Sequence, residues 1–173
     1  MRAINFKSLT PSIINSGPII LLYYFSISEV DTHFSNLFEI LSFNLQLIII
    51  YYWMLRGASI VGNGHVFFAG VINDVIMGLP MGISSFSYLM VSFVASYVKH
   101  LTVNISLFTD WSTFLVAVFI SNLTFLILIH NFSDLTLTYT NIFYNSFFTV
   151  LFYPFFWVFF NLYKSMMSIQ KDD

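Results

Sequence analysis

The apolar positions of this chain fall into six long runs separated by short polar stretches. The runs cover residues 11–28, 37–55, 65–79, 82–98, 111–130 and 141–163. A hydrocarbon core of ~30 Å needs about 20 apolar residues per helix, so the pattern predicts six transmembrane helices. The third and fourth runs are short, and only Gly78–Leu79–Pro80–Met81–Gly82 divides them. Proline cannot continue a helix and glycine tolerates a left-handed cap, so that pentapeptide is a turn and the two runs form a tight antiparallel hairpin.

Composition explains why the runs belong in lipid. Hydrophobic residues make up 58% of the chain and charged residues 8%, and the mean hydropathy is +0.82. Soluble domains carry roughly 25% charged residues, and a chain with so few cannot cover its surface with water-compatible side chains. The expected fold class is an all-α integral membrane protein, a single polytopic domain over residues 1–173 with no internal repeat. A net charge of −2 gives no sign of a nucleic-acid partner. The absence of cysteine excludes disulfides, thiolate metal sites and thiol nucleophiles.

Charge sets the orientation. With six spans and a cytoplasmic N-terminus, the inner segments hold Arg2, Lys7, Arg56, Lys99, Lys164 and Lys171, which are all 6 Lys and Arg residues. The outer segments hold only Glu29, Asp31 and Asp134. One miscounted span would scatter the basic residues over both faces, so the positive-inside rule places both termini in the cytoplasm. Tyr51–Tyr52–Trp53, Tyr97, Trp111 and Tyr163 fall near the inner ends, as an interfacial aromatic belt would. The N-terminal run lacks a small-residue cleavage site and reads as a retained first helix.

One carboxylate stands inside the third run. On a helix Gly70, Asp74 and Gly78 share a face, with Asn73 and Met77 beside them. Small residues at this spacing admit a close neighbouring helix, and a mid-membrane charge costs ~2.5–3.5 kcal/mol unless it faces protein or water. Asp74 precedes Leu79–Pro80 by five residues, ~7–8 Å below the outer end of its span at 1.5 Å per residue. Ser84, Ser85 and Ser87 of the fourth span come level with it, and their hydroxyls or the free N–H groups of that helix's first turn are natural partners. Asp74 then staples the hairpin, organises a partner-binding surface, or belongs to a transport or proton relay. Against a relay, Glu39, near an outer helix end, is the only other candidate acid.

The stretch Gly70-Val-Ile-Asn-Asp74-Val-Ile-Met-Gly78-Leu-Pro80-Met-Gly82 resembles the signature of the bacterial rod shape-determining MreD family. In that family an Asp-containing helix runs into a Gly/Pro turn and a fourth helix that opens with small residues. Length, six spans, the Tyr51–Tyr52–Trp53 cluster and a final helix interrupted by Pro154 also agree in layout. The motif covers about a seventh of the chain, and Asn73 departs from the apolar or small residue expected there. The resemblance implies a non-enzymatic scaffold of the cell-elongation machinery in the cytoplasmic membrane. Its partners would be an MreC-like bitopic protein and, indirectly, MreB filaments and the peptidoglycan polymerase and transpeptidase. Gly70, Asp74, Gly78, Pro80 and Gly82 would be its signature residues, with no cofactor and no metal. The family's fold is also similar to the substrate-binding subunits of ECF vitamin transporters, so a small-molecule uptake subunit is the alternative. The sequence offers such a subunit few polar groups to line a cavity, which argues against it.

Other features carry less. His33, His65, His100 and His130 have no carboxylate at ligand spacing, and His65 reads as an interfacial residue. Asn104, Asn122 and Asn131 head chance matches to the glycosylation pattern. The aromatic run Phe147–Phe160 is read as lipid-facing rather than as a groove for a partner helix. Pro154 frees a carbonyl that Asn145, Ser146 or Thr149 is placed to satisfy. No nucleophile–base pair, phosphate loop or carboxylate pair points to an enzyme.

Overall fold

The computed structural model describes residues 6–28, 44–56, 61–101, 106–132 and 139–169. Among them are six α-helices and no strand: α1 (Phe6–Ser28), α2 (Leu45–Arg56), α3 (Asn63–Met77), α4 (Ile83–Leu101), α5 (Leu107–Phe132) and α6 (Tyr139–Ile169). Two of these contain segments long and apolar enough to cross a membrane, Leu107–Phe132 and Thr140–Ser165. Residues 37–43, where the second run begins, lie outside the described residues, as do Glu29, Asp31, Glu39 and Asp134.

Helix α2 is the pillar of the bundle. It is apolar all round, which suits a helix enclosed on every side, and α1, α4, α5 and α6 all pack on it. Ile48, Ile50, Tyr51 and Tyr52 are fully buried and Trp53 nearly so. This corrects the expectation that Tyr51–Tyr52–Trp53 form an interfacial belt. They are core, because the helix that carries them is surrounded: Tyr51 packs on Phe114 of α5 and Tyr153 of α6, and Trp53 on Phe160 and Tyr163. Phe114 and Tyr153 stack with ring centroids 4.3 Å apart.

Helix α4 packs on α2, α3 and α5 through small side chains. Ser84, Ser85, Ser87, Val91, Ser92 and Ala95 make up most of its buried face, with Ile83, Tyr88 and Val98. Each hydroxyl lets a neighbour approach closely while bonding to it or to the helix's own backbone. Ser92 donates to Asn63 Oδ1 at 2.6 Å, and Ser121 of α5 donates to the Ser87 carbonyl at 3.0 Å.

Helix α6 shows one buried stripe, Thr149, Tyr153 and Phe160, at the four- and seven-residue spacing of a helix face. The rest of its aromatic run turns outward: Phe147, Phe155 and Phe159 are all more than half exposed. Helix α5 likewise presents Phe108, Phe119 and Phe132 outward.

Pro154 leaves α6 continuous. A proline at this position deprives the carbonyl four residues earlier, Val150, of its helical donor. That carbonyl accepts the indole N–H of Trp111 from α5 at 2.9 Å. The expected local donors do other work: Ser146 donates to the Ile142 carbonyl and Thr149 to the Asn145 carbonyl. The repair comes from a neighbouring helix because a side chain in α6 already spends its proton on its own preceding turn.

Candidate functional site

The α3–α4 hairpin gathers the motif residues. Gly78 ends α3 in the left-handed conformation (φ 64°), and the Leu79 N–H returns to the Asp74 carbonyl at 2.9 Å, closing the helix with a glycine C-cap. Gly82 also has a positive φ, 109°. A side chain at either position would be strained, and Pro80 between them holds the reversal. Helix α4 begins at Ile83, and its first intrahelical bond runs from Phe86 N–H to the Gly82 carbonyl at 2.9 Å.

Asp74 caps that helix from the one before it. Its Oδ2 accepts the Gly82 N–H at 2.7 Å and its Oδ1 the Ser84 N–H at 2.8 Å. The carboxylate is fully buried. It satisfies backbone donors that α4 cannot pair internally and places negative charge at the positive end of the helix dipole. The serine hydroxyls named as possible partners are otherwise engaged. Ser84 Oγ takes the Asn73 amide at 3.1 Å, and Ser87 Oγ donates to the Ile83 carbonyl at 3.0 Å. A first-turn backbone N–H has no competing acceptor, whereas a helical serine readily donates to its own preceding turn.

Gly70 is the contact point of the two helices. A methyl built on its Cα would meet the Ser85 backbone, with Ser85 N at 2.6 Å and Cα closer still. The Ser85 hydroxyl donates across the same crossing to the Phe67 carbonyl at 3.1 Å.

A second buried carboxylate sits at the opposite end of the bundle, where the sequence reading counted Glu39 as the only other candidate. Asp110, in the first turn of α5, is fully buried, and its Oδ2 receives three donors: Arg56 Nη2 at 2.7 Å, Arg56 Nε at 2.9 Å and Trp157 Nε1 at 2.9 Å. The Arg56 guanidinium lies 5.1 Å from the Trp157 ring centre. Lys164 Nζ donates to the Arg56 carbonyl at 2.9 Å and so caps the C-terminus of α2. An acid in the first turn of a helix is ordinary by sequence, and nothing within ten residues of Asp110 announces a partner 54 positions away.

Between the hairpin and the N-terminal ends of α2 and α6 lies a cavity of about 280 Å³. Asn73, Ser84, Ser87, Ser121, Asn122 and Asn145 supply polar groups to its wall. This corrects the expectation of too few polar residues for a cavity: they are spread over four helices, and only packing brings them together. A larger apolar groove, about 680 Å³, runs between α5 and α6 past Trp111, Phe119, Phe143 and Phe147. It offers almost no group to orient a polar ligand. Compared with protein-family models, curated proteins and solved structures, the chain matches none.

Proposed function

We propose that this chain is a multi-pass membrane scaffold of the bacterial cell-elongation machinery, with both termini cytoplasmic. In this reading it joins an MreC-like bitopic protein, and through it MreB filaments, to the peptidoglycan polymerase and transpeptidase, and it catalyses nothing itself. The observation that carries the reading is the state of Asp74. Both carboxylate oxygens are committed to the backbone of α4, and Gly70 is committed to the Ser85 crossing. The signature residues therefore build a rigid hairpin, which is what a docking platform needs. A membrane setting is supported by the two long apolar helices and by the large aromatic side chains that α5 and α6 turn outward. Arg56 and Lys164 share one end of the bundle, in keeping with a basic cytoplasmic side.

A second reading, the membrane subunit of a small-molecule uptake system, is favoured by one observation, the amide-lined cavity at the end opposite Arg56. Cross-linking in native membranes, followed by pull-down in mild detergent and mass spectrometry, separates the two. Recovery of a single-span shape protein with the wall polymerase is the expected result. Recovery of an ATPase pair with its coupling subunit overturns the scaffold in favour of uptake.

A further inference from the structure

The cavity beside the hairpin has a chemistry of its own. Among the described residues, no Asp, Glu, Lys, Arg or His lines it. Burying a charged ligand there without a counter-charge would cost several kcal/mol at least, so an occupant is uncharged. Five of the lining residues are asparagines, Asn44, Asn73, Asn122, Asn141 and Asn145. A carboxamide presents a donor and an acceptor side by side, the complement of a ring edge that carries adjacent N–H and C=O groups. Leu47, Met77, Phe125 and Ile142 also line it and supply apolar surface suited to a flat face.

One lining residue carries an atom with no partner among the described residues. Asn73 is 5% exposed, its amide N–H is held by Ser84 Oγ at 3.1 Å, and its Oδ1 is buried without a hydrogen bond. A buried acceptor left unpaired costs ~1–3 kcal/mol, and a ligand donor would recover that. The same asparagine is the position that departs from the pattern of the motif around it.

We propose that this pocket binds a small, uncharged, planar ring bearing adjacent N–H and C=O groups, a cyclic amide or ureide, with Asn73 Oδ1 accepting the ring N–H. A volume of about 280 Å³ suits one ring, or two small ones. The inference uses the same cavity that favours the second reading but does not depend on either: it concerns what the pocket holds, and the chain alone tests it, whereas co-purification tests the readings.

The test is titration calorimetry on the purified full chain in lipid nanodiscs. Uracil and 2-pyridone serve as uncharged amide probes, orotate as a charged ring of the same shape, and glucose as a polyol without a flat amide edge. The expected result is saturable binding of at least one uncharged probe, at least tenfold weaker for orotate and glucose. Asn73→Leu should weaken it at least tenfold. Because that variant also removes the bond to Ser84, Asn141→Leu provides a second one at an exposed wall position, and it should weaken binding several-fold with unchanged thermal unfolding. No saturable binding of either amide probe overturns the proposal, as does equal affinity for glucose or orotate, or an affinity that both variants leave untouched.

Discussion

Replacing Asp74 tests whether the hairpin is held by charge or by the count of hydrogen bonds. Each oxygen accepts one backbone N–H of α4, at 2.7 and 2.8 Å. A hydrogen bond to a charged acceptor contributes ~1.5–3 kcal/mol, and an orphaned buried donor costs ~1–3 kcal/mol. Asp74→Leu removes both acceptors. Ser84 is buried and its N–H would stay orphaned, while Gly82 is only half-buried and water can reach its N–H. The loss should therefore be ~3–5 kcal/mol, somewhat below the sum of two full bonds. Asp74→Asn keeps one acceptor for one N–H but turns its own NH₂ toward the other, donor against donor, so it should fall between wild type and Leu, ~1–2 kcal/mol down. Reversible unfolding by SDS titration from mixed micelles measures the three proteins on one scale. An Asn variant as stable as wild type would mean that one bond carries the joint. An Asn variant as weak as Leu would mean that charge at the helix terminus, rather than hydrogen bonding, holds it. Either result refutes the reasoning.

Three further outcomes follow from particular contacts. Gly70→Ala drives a methyl into the Ser85 backbone and should cost ~1–3 kcal/mol, whereas Gly64→Ala, with open space at its Cβ, should be neutral or stabilising by up to ~1 kcal/mol; equal effects in the same unfolding assay would contradict the close crossing. Arg56→Met alone should destabilise by ~3–5 kcal/mol because it strands buried Asp110, and adding Asp110→Leu should restore much of the loss, which a double-mutant cycle reads directly. Trp111→Phe should cost ~1 kcal/mol by orphaning the Val150 carbonyl, and less in a Pro154→Ala background, where residue 154 regains an N–H for that carbonyl; a cost unchanged by Pro154→Ala would show that the indole acts by packing alone.

What could be read in the chain was what acts over short separations. The turn at Gly78–Gly82, the helix on either side of it and the meeting of Asp74 with the start of α4 involve residues ten apart or fewer, so glycine, proline and helical spacing were enough to place them. Even there, residue types could not choose between a serine hydroxyl and a backbone N–H as the acid's partner; the geometry of the first turn chose the backbone. Everything that depends on which helices are neighbours had to wait for packing. Tyr51, Tyr52 and Trp53 look the same in sequence whether they sit at an interface or in a core, and they are buried because α2 is enclosed by four helices. Asp110 finds Arg56 across 54 residues and Trp157 across 47, and Trp111 mends the break at Pro154 from another helix. The asparagines of the cavity are spread over separate apolar runs, each unremarkable in its own run. The apolar periodicity and composition by themselves determined that this chain is helical and greasy, because backbone hydrogen bonding and hydrophobicity are local properties. Tertiary structure alone decided where its few polar groups meet, since a meeting of side chains is a property of the helix arrangement and of no single segment.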